Sequence, residues 1–184
     1  MLNYVSRANE QGEDAVAMNG KFYLNKAQFA PLDFSGVGRF PAFSGMDGFR
    51  NQPGCTYLKN DGAIPTGRYW IVARPVGGYR TRFRETLASV FNSNIRSQWF
   101  GLYRDDGTID DFTFIDGVKR GNFRLHPMGP NRESKGCITM SRSTDFSMIR
   151  NMLLATSTVI IPGTDLAAYG TIEVVGYEDY CPAL

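Results

Sequence analysis

Hydrophobic and polar residues alternate over short stretches along most of this chain, and glycine interrupts them repeatedly. Period-two runs bounded by turn residues predict β-strands. Ala15-Val16-Ala17-Met18, then Asn19-Gly20, then Lys21-Phe22-Tyr23-Leu24 predict a hairpin, because Asn-Gly supplies the positive φ angles of a tight two-residue turn. Phe34-Ser35-Gly36 and Phe43-Ser44-Gly45 predict two strand ends meeting turns. Further strands are expected over 68–73, 99–104, 112–115, 122–126, 158–161 and 171–177, where β-branched and aromatic residues recur. Asp105-Asp106-Gly107-Thr108 is a turn between two of them.

Helical spacing occurs twice. Phe83, Leu87, Val90, Phe91 and Ile95 form one apolar stripe. Thr144 and Asp145 are candidate caps for a second helix carrying Phe146, Ile149, Met152 and Leu153. The sum is a mainly β fold with two decorating helices, one domain over residues 1–184 with no linker dividing it.

Charge and composition remove several functions. A net charge of +2 argues against a dedicated nucleic-acid surface. Arg80, Arg82 and Arg84 read as a solvated helix face, the alternative being a patch for an anionic polymer such as a cell-wall glycan. No apolar run reaches the ~18 residues of a membrane span. The first residues lack the charged start and apolar core of a secretory signal. The chain is therefore expected to be made in the cytoplasm, and to leave it only through a machine that needs no such signal. The reading calls for no cofactor and no metal.

The candidate chemistry is concentrated in one stretch. His126 is the only histidine, and Cys137 follows eleven residues later within Ser134-Lys135-Gly136-Cys137. A thiol is a weak nucleophile until its proton leaves, and one imidazole can take that proton and later protonate a departing amine. Attack on a carbonyl builds an oxyanion that needs fixed donors. The amides around Lys135, Gly136 and Cys137 are candidates, since Gly136 permits a tight turn, and Ser134 either braces that turn or touches the substrate. The duller alternatives are an inert buried thiol and a histidine satisfied by its surroundings. Cys55 and Cys181 are either a disulfide, formed in an oxidising compartment and contributing roughly 4–5 kcal/mol by closing so long a loop, or two unpaired buried thiols.

Phe123-Arg124-Leu125-His126-Pro127-Met128-Gly129 through Ser134-Lys135-Gly136-Cys137-Ile138-Thr139 resembles the signature of the L,D-transpeptidases, the YkuD-like family. Upstream, Phe40 to Gly45 and Ala63-Ile64-Pro65-Thr66-Gly67-Arg68-Tyr69-Trp70-Ile71 are similar to that family's strand ending in Ser/Thr-Gly and the Pro-x-Gly-x-Tyr strand after it. The chain departs from the pattern at Pro127, usually Gly, and Thr139, usually Arg. Both departures resemble the divergent Tlde1-like branch of type VI secretion effectors, with its DUF2778-type domain, as does the stretch Asn60 to Tyr69.

The resemblance implies a β-sandwich and a peptidoglycan substrate. Cys137 would attack the L-centre carbonyl of diaminopimelate in a stem tetrapeptide and expel D-alanine. Water would then complete an L,D-carboxypeptidase reaction, or an amine an exchange or cross-link. It further implies delivery to the periplasm of a target bacterium, a cognate immunity protein and a component of the secretion machine as partners. Rivals are a papain-like wall amidase, which places Cys before His, and a sortase, which wants an arginine on a later strand where this chain offers Arg142 and Arg150 near the predicted helix. A non-catalytic wall-binding module is the remaining alternative.

Overall fold

The computed structural model describes residues 17–74, 96–177 and 180–181. Its strands are β1 (Met18–Tyr23), β2 (Ala30–Phe34), β3 (Gly38–Phe43), β4 (Gly67–Ala73), β5 (Phe100–Arg104), β6 (Phe112–Ile115), β7 (Val118–Gly121), β8 (Arg124–Pro127), β9 (Ile138–Met140), β10 (Val159–Ile160) and β11 (Ala167–Val175). The helix α1 spans Ser143–Ala155.

Eight of these strands form a closed ring in the order β1-β2-β3-β9-β8-β5-β4-β11, and β11 returns to β1. The fold is therefore mainly β, as expected, but a barrel and not a sandwich. What closes it is a parallel pairing that runs from Met18 beside Gly170 to Tyr23 beside Val175. Gly170 is required there, because a Cβ at its position would run into the Met18 carbonyl. Closure removes the exposed edges that a sandwich must protect. An eight-stranded barrel is just wide enough for side chains to fill. Here Phe22, Leu32, Tyr69, Leu102, Leu125 and Ile172 fill it, joined by Phe146, Ile149 and Leu153 of α1.

The expected hairpin at Asn19-Gly20 is not formed. β1 continues through both residues, and Gly20 pairs with Phe34 on one side and Ile172 on the other. A Cβ on Gly20 would stand 2.9 Å from the Phe34 ring. The glycine makes room for an aromatic and does not turn the chain. The expected helix through Phe83 and Ile95, with Arg80, Arg82 and Arg84, lies outside the described residues. α1 forms where expected, but neither Thr144 nor Asp145 caps it; the N-cap is Arg142, without a side-chain bond. Asp145 instead sits in the first turn, where a carboxylate favours the helix dipole. Met152, expected on the apolar face, is 37% exposed.

β6 and β7 form a separate hairpin outside the ring. Cys55 and Cys181 form a disulfide, which decides between the two alternatives left by the sequence. No helix among the described residues is long and apolar enough to cross a membrane.

Candidate active site

His126 and Cys137 come from adjacent strands that run parallel. Leu125 lies beside Ile138 and His126 beside Thr139. Leu125, Ile138 and Met140 belong to the barrel core. Strand alternation therefore turns His126, Thr139 and Cys137 together onto the outer wall of the barrel. Cys137, just ahead of β9, falls level with Arg124, one side-chain step from the imidazole. The two candidate residues thus share a face but are not hydrogen-bonded to each other.

The imidazole is held by two neighbours. Nδ1 lies 2.8 Å from the Pro127 carbonyl oxygen. A carbonyl only accepts, so Nδ1 carries the proton and Nε2 keeps its lone pair. The Thr139 hydroxyl donates to Nε2 across 3.3 Å. The positions at which the chain departs from the L,D-transpeptidase pattern, Pro127 and Thr139, are therefore the two hydrogen-bond partners of His126. Glycine would supply the same carbonyl as Pro127, whereas the hydroxyl depends on Thr139. Trp99 stacks on the imidazole with ring centroids 4.3 Å apart and planes at 20°. Burial pulls the His126 pKa down to about 4, assisted by the Arg96 charge and opposed by the Pro127 bond.

Cys137 is a free cysteine that keeps part of its surface in solvent. Its Sγ donates to the Asn122 carbonyl at 3.7 Å. Burial pushes the thiol up to about 11, against the lowering effect of the Arg124 backbone N–H and guanidinium. The resting pair is consequently a neutral thiol and a neutral imidazole. Such a pair suits proton transfer during attack, and is unlike a preformed thiolate–imidazolium pair.

The turn ahead of the thiol is built by Ser134 and Gly136. Ser134 is buried, and its Oγ donates to the Cys137 carbonyl at 2.7 Å. Of the two roles open to it, the structure gives it the bracing one. Gly136 has φ +103°, a conformation that L side chains rarely adopt, and a Cβ there would stand 2.7 Å from Arg120 Nη2. Arg120, 3% exposed, donates to the carbonyls of Thr56, Gly62 (3.0 Å) and Ala63 (3.3 Å). It fastens the disulfide-bearing loop against the turn before Cys137. Its burial lowers its pKa from the ordinary guanidinium value.

The upstream Pro-Thr-Gly-Arg-Tyr stretch plays a supporting part. The buried Tyr69 hydroxyl donates to the Pro65 carbonyl at 2.8 Å, and desolvation raises its pKa. Arg104 reaches the Thr66 carbonyl at 2.8 Å. The loop leading into this strand is the one that Arg120 holds against Gly136.

Sequence reasoning missed Trp99, Asp111, Arg120, Asn122 and Arg124 as parts of the site. Arg124 carried a usable signal, since it stands two residues before His126 and so shares its strand face. Trp99 and Arg120 carried none, because both reach the site from other elements. Among the described residues no group of three or more His, Cys, Asp or Glu is placed to hold a metal ion.

Comparison with known proteins gives one match: residues 38–164 fit the Tlde1 domain. That stretch contains His126, Ser134, Gly136 and Cys137 together with the upstream strand. No curated protein matches the chain, and no solved structure matches it.

Proposed function

Because the chain belongs to the Tlde1 domain family, a family related to type VI secretion effectors, we propose that it is a peptidoglycan-modifying cysteine enzyme delivered as an antibacterial effector. The observation that carries the reading is the pairing of β8 with β9, which sets a neutral imidazole with an unprotonated Nε2 and a free thiol on one face of the barrel. The substrate is a stem tetrapeptide. Cys137 Sγ attacks the carbonyl carbon at the L-centre of diaminopimelate while His126 Nε2, released by the Thr139 hydroxyl, takes the thiol proton. The oxyanion forms beside the Gly136 turn, whose amides are the candidate donors. Collapse breaks the C–N bond, D-alanine leaves with the proton from His126, and a thioester remains. Water converts it to a shortened stem (L,D-carboxypeptidase), or an amine acceptor converts it to an exchanged or cross-linked one (L,D-transpeptidase).

The test is incubation of purified protein with tetrapeptide muropeptides, read by mass. Loss of D-alanine, or its replacement by an added D-amino acid, is expected. Unchanged masses with folded protein and free Cys137 thiol would sink the enzymatic reading.

The effector role makes a separate prediction. Periplasmic expression should lyse or arrest a Gram-negative host, and cytoplasmic expression should not. The periplasmic Cys137→Ala form should be harmless, since it keeps the surface and loses the nucleophile. Equal toxicity from that form would favour a non-catalytic wall binder. A cognate immunity protein and a secretion-machine component are the partners this role requires.

A further inference from the structure

Cys137 has a charged neighbour that the reaction scheme above leaves without a role. Arg124 stands level with it across the β8–β9 pairing and, by alternation, on the same outer face. The side chain is only 11% exposed and is gripped by Asp111 through both guanidinium nitrogens, at 2.6 Å each. Nη1 also donates to the Phe123 carbonyl at 2.7 Å. Bidentate pairing fixes an arginine far better than a single contact does. Asp111 has a second task, because its backbone carbonyl accepts from the Asn122 N–H at 2.9 Å. The Asn122 carbonyl in turn accepts the Cys137 S–H hydrogen bond. Asp111 thus fixes both the Arg124 guanidinium and the carbonyl to which the thiol hydrogen-bonds.

We propose that Arg124, locked by Asp111, is the positioning residue that stabilises the Cys137 thiolate as it forms. His126 removes the proton, and the Arg124 backbone N–H and guanidinium receive the charge left on sulfur. The other charged or titratable groups around this wall are Arg96 near the imidazole, Arg120 behind Gly136, Tyr103 near the Arg124–Asp111 pair, and the exposed Lys135 and Glu133 of the loop before Cys137. Unlike these, Arg124 comes from the strand beside the cysteine, one residue ahead of the Leu125–Ile138 pair, with a side chain only 11% exposed. The inference rests on Cys137 being the nucleophile, but its test does not use peptidoglycan.

Cys137 is the single free thiol of the oxidised protein, so alkylation by iodoacetamide reads it alone. Sulfur bonds to the reagent's methylene carbon and iodide leaves. Below the thiol's midpoint the rate follows the thiolate fraction. A shift of about one pH unit lowers that fraction about tenfold, and the rise in intrinsic nucleophilicity returns part of it, leaving a rate about three- to fourfold slower.

Arg124→Met should therefore be alkylated about three- to fourfold more slowly than the parent at about pH 9, the ordinary thiol range. Arg124→Lys, which keeps the charge but loses the bidentate grip, should fall between the parent and Arg124→Met. Arg124→Gln should be slowed in the same way as Arg124→Met, because it keeps hydrogen-bonding groups but not the charge. A purely structural role predicts the opposite for Arg124→Met, since a loosened site exposes the thiol and speeds its reaction. A faster or unchanged rate in natively folded Arg124→Met overturns the proposal. If that variant does not fold, a faster or unchanged rate in folded Arg124→Gln overturns it equally. Failure of the muropeptide assay with these rates as expected would strike the peptidoglycan reading and leave the Arg124 role standing.

Discussion

Replacing His126 with glutamine should slow release of D-alanine from tetrapeptide muropeptides by about 10²–10⁴-fold, the usual worth of a positioned general base. The loss should fall on kcat, because the imidazole acts on a proton in flight and is not a substrate-binding group in this scheme. The resting structure explains why the dependence should be so large. A thiol pushed up to about 11 leaves very little thiolate at neutral pH, so attack requires a base at the moment of reaction. The Pro127 carbonyl keeps Nδ1 protonated and leaves Nε2 able to serve.

The same arrangement fixes the pH profile. A histidine at about 4 remains neutral well below the ordinary range, so the acid limb of kcat/KM should lie near 4 and not near 6.5. Stability follows with a definite sign. The folded state holds His126 neutral where the unfolded chain would protonate it, so stability is lost as pH falls from 6.5 towards 4. The folded state also holds the Cys137 proton longer, so stability is lost as pH rises from 9.0 towards 11. Rates of D-alanine release measured across pH for the parent, His126→Gln and Cys137→Ala would check the scheme. A His126→Gln enzyme as fast as the parent would remove the base from it.

The residues that perform the proposed chemistry were legible because they are types with few duties. One histidine and one cysteine in a Gly/Ser turn declare themselves, and Ser134 and Gly136 lie beside the thiol in sequence as in space. The strands with clear β-branched and aromatic runs, β4 and β6, were legible for the same local reason. Barrel closure was not. It depends on β1 pairing with β11 near the opposite end of the chain, and alternation within a strand says nothing about its partner. β9 escaped notice at three residues, although it follows directly on Cys137. Asn19-Gly20 misled because glycine serves close packing as well as turns, and only the Phe34 ring reveals which. The support around the thiol was the least legible part. Asp111, Arg120 and Trp99 reach the site from other elements, and a charged or aromatic residue in a strand more often faces solvent or core.

Removing the Cys55–Cys181 bond should cost about 4–5 kcal/mol, the chain-entropy value for so long a loop. For a chain of this size that is a fall in Tm of about 10–20 °C. The 126-residue separation enlarges the unfolded ensemble that the crosslink restricts. The native side is well adapted to it. Cys55 is fully buried, and a Cβ on neighbouring Gly54 would collide with the Tyr180 carbonyl, so the tail lies directly on this loop. The loss should also reach the active site, because Arg120 grips the carbonyls of Thr56, Gly62 and Ala63 and packs against Gly136. Once the tail is released, that loop opens more readily, and the clamp behind the nucleophile's turn opens with it. Thermal unfolding of Cys55→Ala/Cys181→Ala beside the parent measures the first effect, and D-alanine release by the still-folded double variant measures the second. A Tm within about 2 °C of the parent's, less than the shift from 1 kcal/mol, would mean that the crosslink restricts little in the unfolded chain. Arg120→Met separates the two effects. It leaves the disulfide in place but takes away the clamp, so activity should fall while the crosslink's own contribution to stability remains.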